Sequence, residues 1–172
     1  ENTKMEYSFM SFAQFLSEYL TGTNLAILGA FLAASLAGIG SAKGVGIVAQ
    51  AANGLLTESP DLFGKVLLLE ALPGTQGIYG LITAFVVMLK AGIIGGGVEL
   101  TLAQGGYLFI ACLPIAFVGL ISAIHQAKVA ASGVNLLAKQ PDEIGKAITN
   151  AALVETYAIF ALLVSLLLII FF

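Results

Sequence analysis

Apolar residues dominate four long stretches of this chain, and none of these stretches contains a charged side chain in its interior. Each is close to the roughly 20 residues that an α-helix needs to cross the hydrocarbon core of a bilayer. They run over Leu25–Ala42, Ala71–Leu89, Leu100–Ile124 and Thr156–Phe172. None alternates apolar and polar residues as the strands of a membrane β-barrel do. The pattern predicts an all-α membrane protein with four transmembrane helices.

The pattern also repeats within the chain. Two motifs of the first half have counterparts in the second half. The matching pairs are Gly40–Gly46 (GSAKGVG) with His125–Ala131 (HQAKVAA), and Ser59–Lys65 (SPDLFGK) with Gln140–Lys146 (QPDEIGK). The first half has four more residues between motif and turn, which is about one helical turn and nearly preserves the facing of the helix. The repeat predicts two duplicated helical hairpins.

The repeat divides the chain into three parts. An N-terminal extension covers residues 1–24, a first transmembrane hairpin covers residues 25–92, and a second hairpin covers residues 93–172. The glycine-rich link Ala91–Gly97 is expected to flex or turn tightly. The extension lacks the features of a signal peptide, so we expect a short interfacial helix or a frayed tail. Small residues at helical spacing on the first helix of each hairpin allow close packing, either within one bundle or around an inner circle of copies.

Composition agrees with a membrane protein and excludes several kinds of site. Hydrophobic residues make up 59% of the 172 residues, and the mean hydropathy is +1.00. The single cysteine, Cys112, cannot form an internal disulfide, and one cysteine with one histidine disfavours a zinc site. The chain has no basic patch, so we expect no nucleic-acid binding. Gly40–Gly46 superficially resembles a phosphate loop but lacks the full motif, so we expect no nucleotide on this chain.

An acidic residue, Glu155, immediately precedes the last apolar stretch, inside the strongly apolar segment Val154–Phe172, where an ionised carboxylate costs at least about 2.5 kcal/mol. Gln126 is fifteen residues before Pro141 and Glu155 is fourteen residues after it. Both therefore lie roughly 20 Å from the same turn and should face each other. The residues that reach this level from the first hairpin are Thr75, Gln76 and, one turn beyond, Tyr79. The sequence predicts a polar layer with one carboxylate, because Gly74 stands at the corresponding position of the first hairpin.

This set of side chains suits a hard monovalent cation, which binds several oxygen atoms and one compensating negative charge. Glu155 supplies the charge, and Tyr79 can donate its hydroxyl to it. The neutral side-chain oxygens are those of Thr75, Gln76 and Gln126. Pro73 frees a backbone carbonyl one turn earlier, that of Leu69. The alternatives are interhelical hydrogen bonds for the neutral residues and a static protonated acid for Glu155.

Two further residues near this layer have no place in the cation set. Glu70 lies one turn before Gly74 and is either a second acid in the site or a separately compensated charge nearer the turn. We favour the second interpretation. His125 adjoins Gln126 but lies about 100° around the helix, which favours a helix contact over a ligand role.

Three motifs carry a family resemblance that covers nearly the whole chain from about Leu25 onward. They are Leu72–Gly80 (LPGTQGIYG), Ala123–Gly133 (AIHQAKVAASG) and Leu153–Ile159 (LVETYAI). Within a doubled hairpin they resemble the proteolipid rotor subunits (of the K or c type) of V-type ATPases, most closely the sodium-transporting bacterial form. The resemblance implies a homo-oligomeric ring without catalytic activity, which rotates against a stator while a separate sector hydrolyses ATP.

The resemblance also implies roles for single residues and partners. Glu155 would carry the ion, and Tyr79 would hydrogen-bond its carboxylate. The other ligands would be Gln126, Thr75, Gln76 and the backbone carbonyl of Leu72. The carbonyl of Leu72 differs by about a turn from the one that Pro73 frees, and we take the family's residue as the ligand. Implied partners are membrane lipid, a central-stalk subunit at the polar turns, and a stator subunit whose arginine pairs with the emptied site.

Five of the seven lysines flank the polar turns near Pro60 and Pro141. The positive-inside rule therefore predicts that both turns are cytoplasmic and that both termini lie on the opposite side of the cell membrane. The expected cargo is Na⁺, with H⁺ or Li⁺ as alternatives. A proton-carrying rotor is the nearest alternative function, and a small secondary cation transporter is one from a different class. A purely structural membrane protein would leave the acid unexplained.

Overall fold

The computed structural model describes residues 12–172, so residues 1–11 of the predicted extension lie outside the described part. Within it, the α-helices are α1 Phe12–Tyr19, α2 Gly22–Leu56, α3 Phe63–Ala71, α4 Thr75–Lys90, α5 Leu102–Lys139 and α6 Ile144–Ile170. Three 3-10 turns are Pro60–Leu62, Leu72–Gly74 and Pro141–Glu143. Spans long and apolar enough to cross a membrane are Gly22–Leu56, Pro60–Lys90, Leu102–Lys139 and Pro141–Ile170. The predicted all-α membrane fold with four transmembrane helices is confirmed.

Threonine caps fix where the two longest helices begin. The hydroxyl of Thr21 accepts the backbone N–H of Asn24 at 3.1 Å, so α2 starts three residues before the predicted apolar run. Thr101 and Gln104 form a reciprocal capping box at the start of α5. The Thr101 hydroxyl accepts the Gln104 backbone N–H at 3.3 Å, and the Gln104 side-chain oxygen accepts the Thr101 backbone N–H at 2.9 Å. Local polar residues therefore set both helix starts.

The link between the hairpins turns through glycines. Helix α4 ends at Lys90 and α5 begins at Leu102. Positive φ angles between 67° and 95° occur at Gly92, Gly95, Gly96 and Gly97. A residue with a Cβ rarely adopts such angles, so glycine is what allows the chain to reverse here. The glycine-rich link therefore turns tightly, one of the two outcomes expected for it.

The core of the bundle is the seam between α2 and α5, which run side by side in the same direction. A Cβ added to Gly29 would lie 2.8 Å from the Cα of Phe109. Further along both helices, a Cβ added to Gly40 would lie 2.7 Å from the Cα of Leu120. Only glycine leaves room for so close a backbone approach. The predicted small-residue stripe therefore packs inside a single chain.

Two apolar clusters fill the bundle on either side of a polar layer. The first includes Ala30 and Ile115, and the second, nearer the proline turns, includes Val48 and Leu137. Gln126 lies on α5 between the residues of the two clusters and is fully buried. Each cluster excludes water and lipid from one side of the layer, which strengthens the electrostatic interactions inside it.

The two proline turns contact each other. The ammonium group of Lys65 donates to the backbone carbonyl of Pro141 at 2.7 Å and lies 3.4 Å from Oδ1 of Asp142. Solvent screens this exposed pair, so it adds little stability. It does show that the turns of the two hairpins lie at the same end and depth of the bundle.

Candidate ion-binding site

A break in the second transmembrane span shapes the site. The 3-10 turn Leu72–Gly74 separates α3 from α4. Pro73 has no N–H to donate and its ring interrupts the regular helical hydrogen bonds. The hydroxyl of Ser41 on α2 compensates, because it accepts the backbone N–H of Gly77 at 2.8 Å. Helix α2 of the same hairpin thus provides the hydrogen-bond acceptor that the backbone of α4 lacks where the span is irregular.

Side chains from α4, α5 and α6 form a hydrogen-bonded network around Glu155. Tyr79 on α4 donates its hydroxyl to Oε1 of Glu155 at 2.6 Å. Gln126 on α5 donates Nε2 to Oε2 of Glu155 at 3.2 Å. The Oε1 atom of Gln126 accepts from Nε2 of Gln76 at 2.6 Å. The expected facing of Gln126 and Glu155 and the expected contact of Tyr79 with the carboxylate are both present.

Thr75 and Leu72 extend this network at the helix break. The Thr75 hydroxyl donates to the Leu72 carbonyl at 2.9 Å, and its oxygen lies 3.4 Å from Oε1 of Gln76. The backbone N–H of Thr75 donates to the same carbonyl and closes the 3-10 turn. The Leu72 carbonyl therefore borders the polar layer.

The residues of this network are buried or half-buried, which makes an uncompensated charge among them costly. Gln76 and Gln126 are fully buried, and Glu155 is half-buried. Every buried side-chain nitrogen or oxygen in residues 12–172 has a hydrogen-bond partner. The ion pairs of this part lie at the proline turns, and none involves Glu155. An ionised Glu155 would thus have two hydrogen bonds but no positive partner within residues 12–172, an arrangement that is costly away from water.

The donor set fits a hard monovalent cation. One carboxylate would balance a single positive charge, and neutral oxygen atoms are available for the remaining coordination. These oxygens belong to Thr75, Gln76, Gln126 and the Leu72 carbonyl. Within the described part of the chain, no three His, Cys, Asp or Glu side chains come together as a metal-binding group. Divalent and transition-metal sites normally use several such ligands, so the layer fits a monovalent ion better.

Glu70 and His125 lie outside this network. Glu70 is half-buried, and no hydrogen bond or ion pair in residues 12–172 connects it to Glu155. This agrees with the interpretation of Glu70 as a separate charge. His125 is exposed and lines a groove along α5 and α6. The helix contact expected for His125 therefore stays a prediction within residues 12–172.

Two serines that act beside prolines were not predicted from the sequence. Ser41 supports the break at Pro73. Ser165 on α6 accepts the backbone N–H of Ile115 at 3.3 Å, next to the proline inside α5. A serine in an apolar helix is a signal for this role when a proline in another helix lies at the same depth. Counting residues from Pro60 would have placed Ser41 at nearly the same depth as Gly77, just beyond the break at Pro73.

A family model for the C subunit of ATP synthase matches the chain twice, over residues 28–87 and 109–168. The chain belongs to this family. Its members are non-catalytic membrane components of ATP-driven complexes, and they assemble into homo-oligomeric rings. The two matches fall in the two halves that the sequence repeat defines. A duplicated hairpin is therefore confirmed.

Two known proteins are similar over most of the chain. The V-type sodium ATPase subunit K of Enterococcus hirae is 46% identical over 148 residues, which cover 86% of this chain and 92% of that protein. The A-type ATP synthase subunit K of Methanocaldococcus jannaschii is 39% identical over 163 residues, which cover 94% of this chain and 70% of that protein. These similarities confirm the predicted relationship to V-type ATPase proteolipids.

Proposed function

We propose that this chain is the ion-carrying rotor subunit of a V-type sodium-translocating ATPase and that each copy binds one Na⁺ at Glu155. The observation that carries the proposal is the polar layer in which Glu155 is the one carboxylate among hydrogen-bonded neutral oxygens. A relative named V-type sodium ATPase subunit K supports sodium as the cargo. The match to a ring-forming family supports the role of rotor.

The ligands of the proposed ion come from both hairpins. Glu155 provides the charge, and Tyr79 holds the carboxylate through its hydroxyl. The remaining ligands are the side-chain oxygens of Thr75, Gln76 and Gln126 and the carbonyl of Leu72. Interhelical hydrogen bonding accounts for the neutral residues alone, but it leaves the acid without a compensating charge.

The two buried amides favour sodium over a proton. A proton carrier needs a carboxyl group that gains and loses H⁺, and further oxygen ligands add nothing to that step. A sodium ion, by contrast, loses its hydration shell on entry and needs replacement oxygens. Gln76 and Gln126 are fully buried at the level of Glu155, so their carbonyl oxygens are available for this purpose.

Neutralisation of Glu155 by the bound ion would allow the site to pass the lipid at a lower desolvation cost. Release then requires a competing positive charge, which this chain cannot supply as arginine because it contains none. We infer a stator subunit whose guanidinium pairs with the emptied carboxylate. Each ion moved against 100 mV requires about 2.3 kcal/mol, which rotation must deliver.

We also infer the orientation of the chain and the position of the central stalk. By the positive-inside rule, the lysines around Pro60 and Pro141 support a cytoplasmic position of the proline turns. The termini then lie on the opposite side of the membrane. A central-stalk subunit would bind at the proline turns, where exposed charged side chains such as Asp61 and Asp142 are accessible.

The test is protection of Glu155 by sodium. Dicyclohexylcarbodiimide modifies protonated carboxyl groups inside membranes, so a bound sodium ion should slow the reaction at Glu155. Purified rings would be labelled at fixed pH with increasing NaCl and, as a matched control for ionic strength, with choline chloride. Peptide mass spectrometry would measure labelling of Glu155 and, as an internal reference, of Glu70.

Sodium-specific protection of Glu155 supports the proposal. If the labelling of Glu155 does not change with NaCl concentration at any pH tested, sodium binding is contradicted. Labelling that depends on pH alone would instead indicate a proton-carrying rotor. Native mass spectrometry of the same sample tests the other class of function, because a stable monomer or dimer would indicate a secondary transporter and not a ring.

A further inference from the structure

A groove of about 360 Å³ runs along the seam between α5 and α6. This α5–α6 groove is lined by Val118, Ile121, Ser122, His125, Val154 and Tyr157. A further groove of about 270 Å³ continues along the same two helices towards the proline turns and includes Ser132 and Asn150. His125 is exposed in the middle of this surface and has no part in the proposed ion site.

The internal repeat identifies what this groove corresponds to in the first hairpin. Pro141 follows Pro60 by 81 residues, and the two family matches begin at residues 28 and 109, which are also 81 positions apart. The structure agrees with this spacing along α2 and α5, because Gly40 lies against Leu120, and Gly44 lies against Ala123 and Ala127. Residues of α2 and α5 that are 81 positions apart therefore lie at the same depth, one helical turn away from the motif pairing of Gly40 with His125. The counterparts of Val118, Ile121 and His125 are Ala37, Gly40 and Gly44. All three counterparts are buried, so α5 exposes the face that α2 buries against α5 inside the chain.

The reciprocal surface is exposed on α2. Inside the chain, α2 packs against a small-residue face of α5 that consists of Gly119, Ala123 and Ala127. The α2 counterparts of these residues are Gly38, Ala42 and Gly46. A Cβ added to Gly38 or Gly46 would meet no atom within 4 Å, and Ala42 is exposed. These three residues form a notch on α2 that nothing in the described chain fills.

We propose that the α5–α6 groove of one copy packs on the notch of the next copy in the ring, and that His125 fills this notch beside Ala42 and Gly46. The contact repeats the α2–α5 seam of the chain between neighbouring copies. It follows from the family's ring assembly and does not depend on which ion is transported. The occupant of the groove is therefore a second copy of this chain.

His125 makes the seam between copies differ from the seam within a copy. At the corresponding position inside the chain, a Cβ added to Gly44 would lie 3.0 Å from the Ala123 carbonyl oxygen and 3.4 Å from the Ala127 Cβ. An imidazole does not fit into so close a contact. The helices of neighbouring copies must therefore stand further apart at this depth than α2 and α5 do. His125 thus sets the spacing between copies, and the small residues opposite it provide the room.

Cysteine cross-linking in intact rings tests the predicted contact. In a Cys112→Ala background, the pair His125→Cys with Ala42→Cys should form disulfides under copper-phenanthroline oxidation and give a ladder of covalent oligomers on a denaturing gel. Either single variant should give monomers, because a head-to-tail contact brings two different residues together. The pair His125→Cys with Ser35→Cys is the matched control. Ser35 lies seven residues from Ala42, about 10 Å along the same helix, so this pair should not link.

Two results would overturn the proposal. One is a missing ladder in rings that native mass spectrometry shows to be assembled. The other is linkage of the His125→Cys single variant as strong as that of the pair, which would indicate a two-fold contact of α5 with α5. If the first pair does not assemble, Val118→Cys with Gly38→Cys tests the same seam. Their counterparts inside the chain touch, since a Cβ added to Gly119 would lie 2.9 Å from the Ala37 Cβ.

A compensating exchange tests the role of His125 as the spacer. Ala42→Phe should abolish ring assembly, because the notch then has no room for the imidazole. Combining it with His125→Gly should restore the ring, and His125→Gly alone should still assemble. Normal assembly of Ala42→Phe would contradict the proposal. Sodium protection of Glu155 in the restored rings reports on the ion site separately, so the two proposals can fail independently.

Discussion

Replacing Tyr79 by phenylalanine removes one hydroxyl from the polar layer and keeps the aromatic ring that packs against the first apolar cluster. The lost contact is the 2.6 Å hydrogen bond to Glu155. A hydrogen bond to a charged group contributes about 1.5–3 kcal/mol, and one to a neutral group about 0.5–1.5 kcal/mol. Tyr79 therefore favours the ionised, sodium-binding form of Glu155 over the protonated form by about 1–1.5 kcal/mol. The substitution should raise the sodium concentration for half-maximal protection roughly 5- to 13-fold.

The assay is sodium protection of Glu155 from dicyclohexylcarbodiimide at fixed pH, measured on rings whose assembly has been verified by native mass spectrometry. Tyr107→Phe is the matched control, because Tyr107 stacks on Phe172 at a ring-centroid distance of 5.3 Å at the other end of the bundle. In that variant, sodium should protect Glu155 at the same concentrations as in the wild type. A shift below about twofold for Tyr79→Phe, equivalent to about 0.4 kcal/mol, would refute the idea that this hydroxyl stabilises the ionised carboxylate. An equal shift for both variants would refute it as well.

Three further substitutions and one control variant test the structure around the site. Gln126→Leu should abolish sodium protection and lower stability by about 1–3 kcal/mol, because it leaves buried polar partners unsatisfied; thermal unfolding in detergent checks this, and unchanged protection would contradict a ligand role. Ser41→Ala should destabilise the fold by about 1–3 kcal/mol, because the Gly77 N–H loses its partner, and an unchanged unfolding temperature would contradict that support. Gly80→Ala should destabilise strongly, because its Cβ would collide with a carbonyl of α2, whereas Gly64→Ala should be neutral or stabilising, since its Cβ meets nothing within 4 Å.

Depth in the membrane could be predicted well from the sequence, because a helix has a fixed rise and the two prolines mark the same level. Counting from Pro141 brought Gln126 and Glu155 together, and they are hydrogen-bonded. Counting from Pro60 brought Thr75 and Gln76 to the same layer. The apolar runs also gave the number of spans correctly, since lipid leaves few other ways to satisfy a backbone.

Contacts that depend on facing and on neighbouring helices were harder to predict. Pro73 suggested the Leu69 carbonyl from regular α-helical geometry, but the backbone forms a 3-10 turn there, and Leu72 is the carbonyl that Thr75 contacts. The bond from Gly77 to Ser41 was not predicted, because the pattern of side chains does not show which backbone N–H groups lack a partner at a helix break. Helix α2 begins at Gly22 and not at the predicted Leu25, because the capping threonine, Thr21, and not hydropathy, decides where this helix begins.

Gly74 stands in the first hairpin where the second has Glu155, so a copy built of four long helices offers a single loading point. Under the proposed function, one revolution then carries as many sodium ions across the membrane as the rotor has copies, half of what an acid in both hairpins would allow. Because each ion moved against 100 mV requires about 2.3 kcal/mol, the energy of one ATP is divided among fewer ions. Such a rotor moves fewer sodium ions per ATP and can sustain a steeper sodium gradient.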